Sequence, residues 1–262
     1  MSRRSNERPS HRLEAALIWA AIAGLACGVV SAEDDPQASA EDDALYAIPE
    51  RSPGHAQSPI NILSDATTEG HHALQFGGGG MPIAKTVAYT GDTVRIRFQS
   101  EGTLRFDDQV YSLKQCHFHT PSEHQIDGIT YPMEMHCVAR RPPETGEQEP
   151  GYLVLAYLFR MGESNQTIAR LLAGHPHRGE TLTLTGEAPI AVIDLLDGLT
   201  IAGHYYSYEG SLTTPPYSET VRWVIDKEIR EASPEEITLL NALEGNNARH
   251  IQPSSGREIE AE

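Results

Sequence analysis

Between Thr93 and Ile225 the chain is dominated by short β-rich runs, and these restrict its fold more than any other feature. TVRIRFQS (93–100) alternates apolar with charged or polar residues, as a half-buried strand does. GTLRFDDQVYSL (102–113) reads as a hairpin turning at Asp107–Asp108. QCHFH (115–119), MEMHCVAR (133–140), YLVLAYLFR (152–160) and TVRWVI (220–225) are further β-rich runs between Gly-, Pro- and Glu-rich loops. Helical patterns are few and short. SNQTIARLLAG (164–174) begins on a Ser cap and ends at Gly, and SPEEITLLNAL (233–243) has Ser, then Pro at the first helical position, then two glutamates. The expected fold is mainly β (α+β), a single domain with a few short peripheral helices.

The chain has 262 residues, enough for one domain of about 200 residues with appendages. Its formal charge of -17 argues against a nucleic-acid partner, which would need a basic face. Residues 1–32 have the form of a signal peptide. Arg3, Arg4, Arg8 and Arg12 precede an uncharged run from Ala15 to Val30, and small residues allow cleavage after Ala32. The run is short for a membrane span, so none is expected. Cys27 invites comparison with a lipid-attachment cysteine, but Gly24 stands where that motif needs a large aliphatic residue. The expected location is therefore outside the cytoplasm, periplasmic or secreted, with a lipid anchor the lesser reading. Residues 33–45 read as an acidic disordered linker and 46–262 as the folded domain. Loss of the leader leaves Cys116 and Cys137 in an oxidising compartment. Gly77–Gly80 lacks the Lys-Ser/Thr that a phosphate cradle requires and reads as a flexible loop.

The histidines carry the chemistry. On a strand, His117 and His119 point to the same side and can offer two imidazoles to one ion. A catalytic zinc site needs a third protein ligand and an open position. His124 follows Pro121, out of the strand's register, whereas His136 sits on another strand with Glu134 two residues earlier. If those strands pair, Glu134 shares the metal-facing side and accepts from the second ring nitrogen of His136. Spacing favours His136 over His124 without deciding it. His175-Pro176-His177 reads as a solvated turn, and His71, His72 and His250 have no partners in sequence.

QCHFHTPSEH (115–124), MEMHCVA (133–139) and YYSYEGSLTTPPYSETVRWVI (205–225) together resemble the α-class carbonic anhydrases, bacterial exported ones especially. GHAQSPINI (54–62) and NNARHIQPSSGR (246–257) resemble that family's opening and closing motifs. The resemblance implies a central, largely antiparallel twisted sheet with Zn²⁺ at the base of a conical cleft. It implies zinc ligands at His117, His119 and His136, with Gln115, Glu134 and the main-chain carbonyl of Asn247 as their acceptors. It makes Thr213 the residue that orients zinc-bound hydroxide and donates to Glu123. An apolar pocket for carbon dioxide would be formed by Val138, Val154, Leu212, Val221 and Trp223, with Thr214 beside it. His124 becomes structural, bonded near Tyr208 and Glu134. The implied activity is reversible hydration of carbon dioxide to bicarbonate and a proton, because zinc lowers the pKa of its bound water to about 7.

The chain departs from that pattern in several places. Asp92 stands where the fastest members carry a rim histidine that passes the proton out. An aspartate in water titrates near 3.9, so handing it a proton from a group near 7 is uphill by roughly 4 kcal/mol. Slower, buffer-dependent turnover is the expectation. The family's amino-terminal Trp-Gly-Tyr stretch has no match beyond Tyr46, and Thr120-Pro121-Ser122 is short, as in bacterial members. The disulfide common in exported members is missing, since Tyr217 follows TTPP where a cysteine is usual. Cys116 and Cys137 flank two ligands on the face away from zinc. Two buried thiols are the favoured state there and a cross-strand disulfide the alternative. A non-enzymatic binding or adhesion domain on the same fold is the alternative function, and hydrolysis of small esters a side activity. The sequence leaves room for a homodimer.

Overall fold

The computed structural model describes residues 54–77, 83–173, 177, 179–184, 190, 201 and 203–262. The signal peptide and acidic linker, His175 and most of Gly77–Gly80 lie outside them. The strands in chain order are β1 (Asn61–Ile62), β2 (Thr68–Glu69), β3 (Leu74–Phe76), β4 (Ala84–Tyr89), β5 (Val94–Phe106) and β6 (Gln109–His119). They continue with β7 (Gln125–Ile126), β8 (Ile129–Thr130), β9 (Met133–Arg141), β10 (Gly151–Met161) and β11 (Thr181–Thr183). The last are β12 (Tyr205–Gly210), β13 (Val221–Asp226), β14 (Arg230–Ala232) and β15 (Glu260–Ala261). The helices are α1 (Gln166–Leu172) and α2 (Pro234–Glu244).

One large sheet runs in the order β11-β4-β5-β6-β9-β10-β13-β12-β15-β2, with β3 added to β5 and β14 to β10, while β1, β7 and β8 form a small separate sheet. Its pairings are mostly antiparallel, as expected, but the central β10–β13 pair is parallel. Two apolar clusters cover the two faces. Ile96, Leu113, Cys116, Phe118, Cys137, Ala139, Leu153 and Leu155 belong to the larger one. Val138, Val154, Ala156, Tyr208 and Trp223 belong to the other. β10 is buried on both sides along Gly151–Phe159, which explains why YLVLAYLF shows almost no alternation.

The hairpin between β5 and β6 turns at Asp107–Asp108 as predicted, with Asp107 at φ 52. α2 carries the expected cap: Ser233 Oγ accepts from Glu236 N–H, Glu236 reciprocates, and Pro234 opens the helix. The cap of α1 falls one residue later than expected. Asn165 accepts from the N–H groups of Thr167 and Ile168, while Ser164 donates to Glu236 of α2. A β-bulge in β6 lies between Leu113 and Gln115, which pair with Ala139 and Val138 of β9. Leu113 and Cys116 both face the larger core although three residues apart, which a strict period of two forbids. The bulge absorbs the difference by making Lys114 the extra residue and turning it toward the opposite face. Among the described residues no helix is long and apolar enough to cross a membrane.

Candidate metal centre

The candidate ligand side chains come together because β6 and β9 pair in one register: His117 lies opposite His136, Phe118 opposite Met135, and His119 opposite Glu134. Directly paired residues point to the same side, so His117, His119, Glu134 and His136 project from one face. A donor atom from each of His117, His119 and His136 lies within 4.8 Å of the others. Their ring centroids are 4.6–5.4 Å apart.

Two of the three imidazoles have one nitrogen accounted for. His117 Nδ1 is 2.9 Å from Gln115 Oε1. His136 Nε2 is 2.7 Å from Glu134 Oε1. These contacts leave His117 Nε2 and His136 Nδ1 for the centre. His119 makes no hydrogen bond of good geometry at either buried nitrogen, although the main chain of Asn247 acts on it to raise its pKa. Burial, and then the neighbouring imidazoles and Arg95, hold His117 well below the ordinary histidine value. Burial likewise lowers His119, against the pull of Glu123. Neutral imidazole is the form that ligates a metal. Burial also opposes charge on His136, but Glu134 wins and raises it. Glu134 itself is held well below the carboxylate range because His124 and His136 outweigh its burial.

His124, Glu134 and His136 also cluster closely enough to hold an ion, but their atoms are already committed. Glu134 Oε1 takes His124 Nδ1 and His136 Nε2, and Oε2 accepts from the N–H groups of Glu123 and His124. His124 Nε2 is 2.7 Å from the Tyr208 hydroxyl. Both ring nitrogens of His124 are thus taken, one by Glu134 and one by Tyr208. The set with donors to spare is His117, His119 and His136, and three buried nitrogens with no other demand fit a tetrahedral zinc with one open position.

Around this set, Glu123 is fixed at one end and open at the other. Oε1 accepts from Arg249 N–H at 2.8 Å. Oε2 is buried without a hydrogen bond, 3.6 Å from His119 Nε2 and 3.8 Å from His136 Nδ1. Thr213 and Thr214 lie on the loop after β12. Leu212 N–H to Ser218 and Tyr217 N–H to Thr214 close that loop. It is stitched to the amino-terminal motif: Ser58 N–H donates to Ser211 Oγ, and Ser211 N–H and the Tyr208 hydroxyl donate to Ser58 Oγ. Gly210 allows that approach, since a Cβ there would meet Ser58 Oγ at 2.2 Å. Arg249 clamps the same junction, donating to Ser58 O and Gln57 Oε1 with its guanidinium 3.9 Å from the Tyr217 ring centroid. Ser58, Ser211 and Arg249 escaped the sequence reading because their partners lie about 150–190 residues away.

A cavity of about 40 Å³ opens beside His117 and His136. Val138, Val154, Leu212, Thr213, Thr214 and Trp223 line it as expected, joined by Gln115, Lys114, Arg140 and Tyr152. Val221 packs in the same apolar cluster but lines a different, larger groove of about 770 Å³ that holds none of the three histidines. Sites for drug-sized ligands run to about 300–1,000 Å³, so the smaller cavity is of a size that suits a small substrate. Asp92 is exposed in the turn between β4 and β5, its carbonyl accepting from Asn247 Nδ2 at 2.8 Å. Behind the ligands, Cys116 and Cys137 are directly opposite and form a disulfide, with Cα atoms 4.1 Å apart. The favoured expectation of two thiols is thereby corrected. The register that aligns His117 with His136 also brings the neighbouring cysteines to the close spacing of an antiparallel pair.

Three convergent imidazoles on a large, mostly antiparallel sheet define a β protein with a tri-histidine centre suited to one zinc ion. The profile of the eukaryotic-type carbonic anhydrases matches residues 46–262. A carbonic anhydrase of Pectobacterium atrosepticum is 34% identical over 212 residues, covering 79% of this chain and 80% of the relative. The α-carbonic anhydrase of Photobacterium profundum superposes with a TM-score of 0.68 at 36% identity, covering 79% of this chain and 89% of that one. That of Thermovibrio ammonificans, solved with the inhibitor sulfanilamide, gives 0.69 at 32% identity, covering 79% and 87%. The chain belongs to the α-class carbonic anhydrase family, and its fold class is the one expected.

Proposed function

We propose that this chain is an exported zinc enzyme that reversibly hydrates carbon dioxide to bicarbonate and a proton. The observation that carries the reading is the convergence of three uncommitted, buried imidazole nitrogens beside a narrow cavity with an apolar wall. Zinc held there would lower the pKa of a water to about 7 and so supply the nucleophile at neutral pH.

The chain's own residues do the rest. His117, His119 and His136 would hold the ion, with Gln115, Asn247 and Glu134 setting which ring nitrogen is offered. Thr213, on a loop braced by Ser58 and Arg249, is placed to orient the nucleophile. Glu123, anchored by Arg249 N–H, has its other oxygen without a hydrogen bond in this structure, and in the working site that oxygen would accept one from the Thr213 hydroxyl and fix its direction. Carbon dioxide has no net charge and no donor, so Val138, Val154, Leu212 and Trp223 suit it by contact alone. Holding it against the oriented nucleophile is catalysis by position. Asp92 provides a poor exit for the proton, which makes an external acceptor necessary.

The test is metal content together with stopped-flow hydration, with and without an aromatic sulfonamide. One zinc per chain, lost in His119→Ala, and sulfonamide-sensitive hydration are expected. Zinc-loaded protein with no hydration would reduce it to a binding domain on this fold.

A further inference from the structure

Of the three candidate ligands, His119 has the least to hold it. Gln115 and Glu134 each occupy a ring nitrogen of His117 and His136, whereas no side chain hydrogen-bonds either nitrogen of His119 among the described residues. The sheet supports its main chain on one edge only. His119 is the last residue of β6 and pairs with Glu134 of β9, but β5 on the other edge pairs with β6 only as far as Arg95 and His117. The C=O of Phe118 and the N–H of Thr120, one on each side of His119, have no strand to pair with there. The Asn247 side chain takes that place. Its Oδ1 accepts from Thr120 N–H at 3.1 Å, and its Nδ2 donates to Phe118 O at 3.2 Å. One carboxamide thus makes the bonds across His119 that a neighbouring strand would make. Nδ2 also donates to Asp92 O at 2.8 Å, in the turn that leads into β5. A flipped amide would set its NH₂ against an N–H and its oxygen against two carbonyls, so the partners fix its orientation.

The end of α2 delivers this amide. The helix stops at Glu244, and Gly245, at φ 69, turns the chain back toward the sheet. Thr120 Oγ1 donates to Gly245 O at 3.0 Å, and Glu244 accepts from Val94 N–H at 2.6 Å. The helix end is thereby bonded to the start of β5 and to the residue just past β6. The main chain of Asn247 in turn acts on the His119 ring. Anchoring the Asn247 side chain therefore fixes both the backbone that carries His119 and the main-chain group that faces its ring. We propose that the Asn247 side chain is a positioning residue for the metal centre, setting the place of His119 by standing in for the missing strand neighbour. It touches neither metal nor substrate. The assignment rests on the three-histidine metal reading but not on hydration.

The experiment compares the full chain as wild type, N247S, N247Q and L104V. Asn247 is half-buried, so a serine too short to reach Phe118 O or Thr120 N–H admits water to both groups and should fold. N247Q keeps the carboxamide and displaces it by one methylene. Leu104 is buried at the far end of β5, opposite Tyr111, and L104V lowers stability without touching the centre. Zinc affinity is read by chelator competition, and ligand geometry by the visible spectrum of cobalt-substituted protein. N247S should bind zinc about 10- to 100-fold more weakly and shift the cobalt spectrum, with N247Q between it and wild type. L104V should match wild type in both while its urea midpoint falls. Wild-type affinity and spectrum in N247S overturn the assignment, as they do in N247Q should N247S not fold. An equal loss in L104V also overturns it, by showing that affinity merely follows stability. A wild type that holds zinc without hydrating carbon dioxide sinks the enzymatic reading and leaves these outcomes standing, whereas one that takes up no zinc sinks both.

Discussion

Replacing both Cys116 and Cys137 with alanine should weaken the fold and the metal centre together. The bond closes a loop of 21 residues between directly opposed positions of β6 and β9. Loop-closure entropy for that length is worth about 3 kcal/mol at 25 °C. Both cysteines are essentially inaccessible, at 0% and 1% exposure, so a reductant should not open the bond in folded protein. The consequence for the metal arises one residue away. Cys116 precedes His117 and Cys137 follows His136, and the two histidines form the next rung of the same ladder. Releasing that rung lets the two ligand-bearing strands move against each other, and loss of such support typically costs about 10- to 100-fold in metal affinity. Urea unfolding of metal-free protein should show a midpoint lowered by roughly 1 M or more. Chelator competition should show zinc affinity lowered at least about tenfold. Protein beginning at Glu33, denatured without reductant, should contain no free thiol. A full complement of two thiols would show that the bond does not form. An unchanged midpoint with unchanged zinc affinity would show that the bond constrains neither the loop nor the ligands.

Two further outcomes follow from buried charge and the altered rim. Burial pushes the Glu244 carboxyl up to about 8, against hydrogen bonds from Val94 N–H, Thr93 and Asn247. Unfolded, the group ionises near 4.5. The unfolded chain therefore holds fewer protons across pH 4.5 to 8, and stability should fall as pH rises through that window and then level off. Glu244→Gln should remove that slope and stabilise the protein above pH 8, with an upper bound of about 5 kcal/mol, read from urea midpoints at pH 5 and 9. Asp92→His should raise the hydration rate in dilute buffer by about tenfold or more, since an imidazole can take and release a proton near neutral pH. An equal rate for both proteins in stopped-flow assays would place the proton exit elsewhere.

What the sequence disclosed, and what it withheld, divides along the range of the interactions. Alternation is local, so it exposed β5, β6, β9 and β13, the hairpin at Asp107–Asp108, and the shared face of His117 and His119. The choice of His136 over His124 needed a pairing register, which spacing alone suggests but does not fix. Once His117 stands opposite His136, the Cys116–Cys137 bond and the approach of Glu134 to His136 follow from the same geometry. The bulge at Lys114 breaks alternation by a single residue, and nothing in KQCHFH announces it. Its signature is that Leu113 and Cys116 are both core residues, a fact of packing rather than of pattern. The charged half of TVRIRF looked like an ordinary solvent face for the same reason. Alternation says that Arg95 and Arg97 share a side, but only the ladder to β6 shows that the side is the one carrying His117 and Gln115. Arg95 adds to the burial and the neighbouring imidazoles that hold His117 below the ordinary histidine value. The placement that period-two reasoning treats as neutral therefore acts on the site.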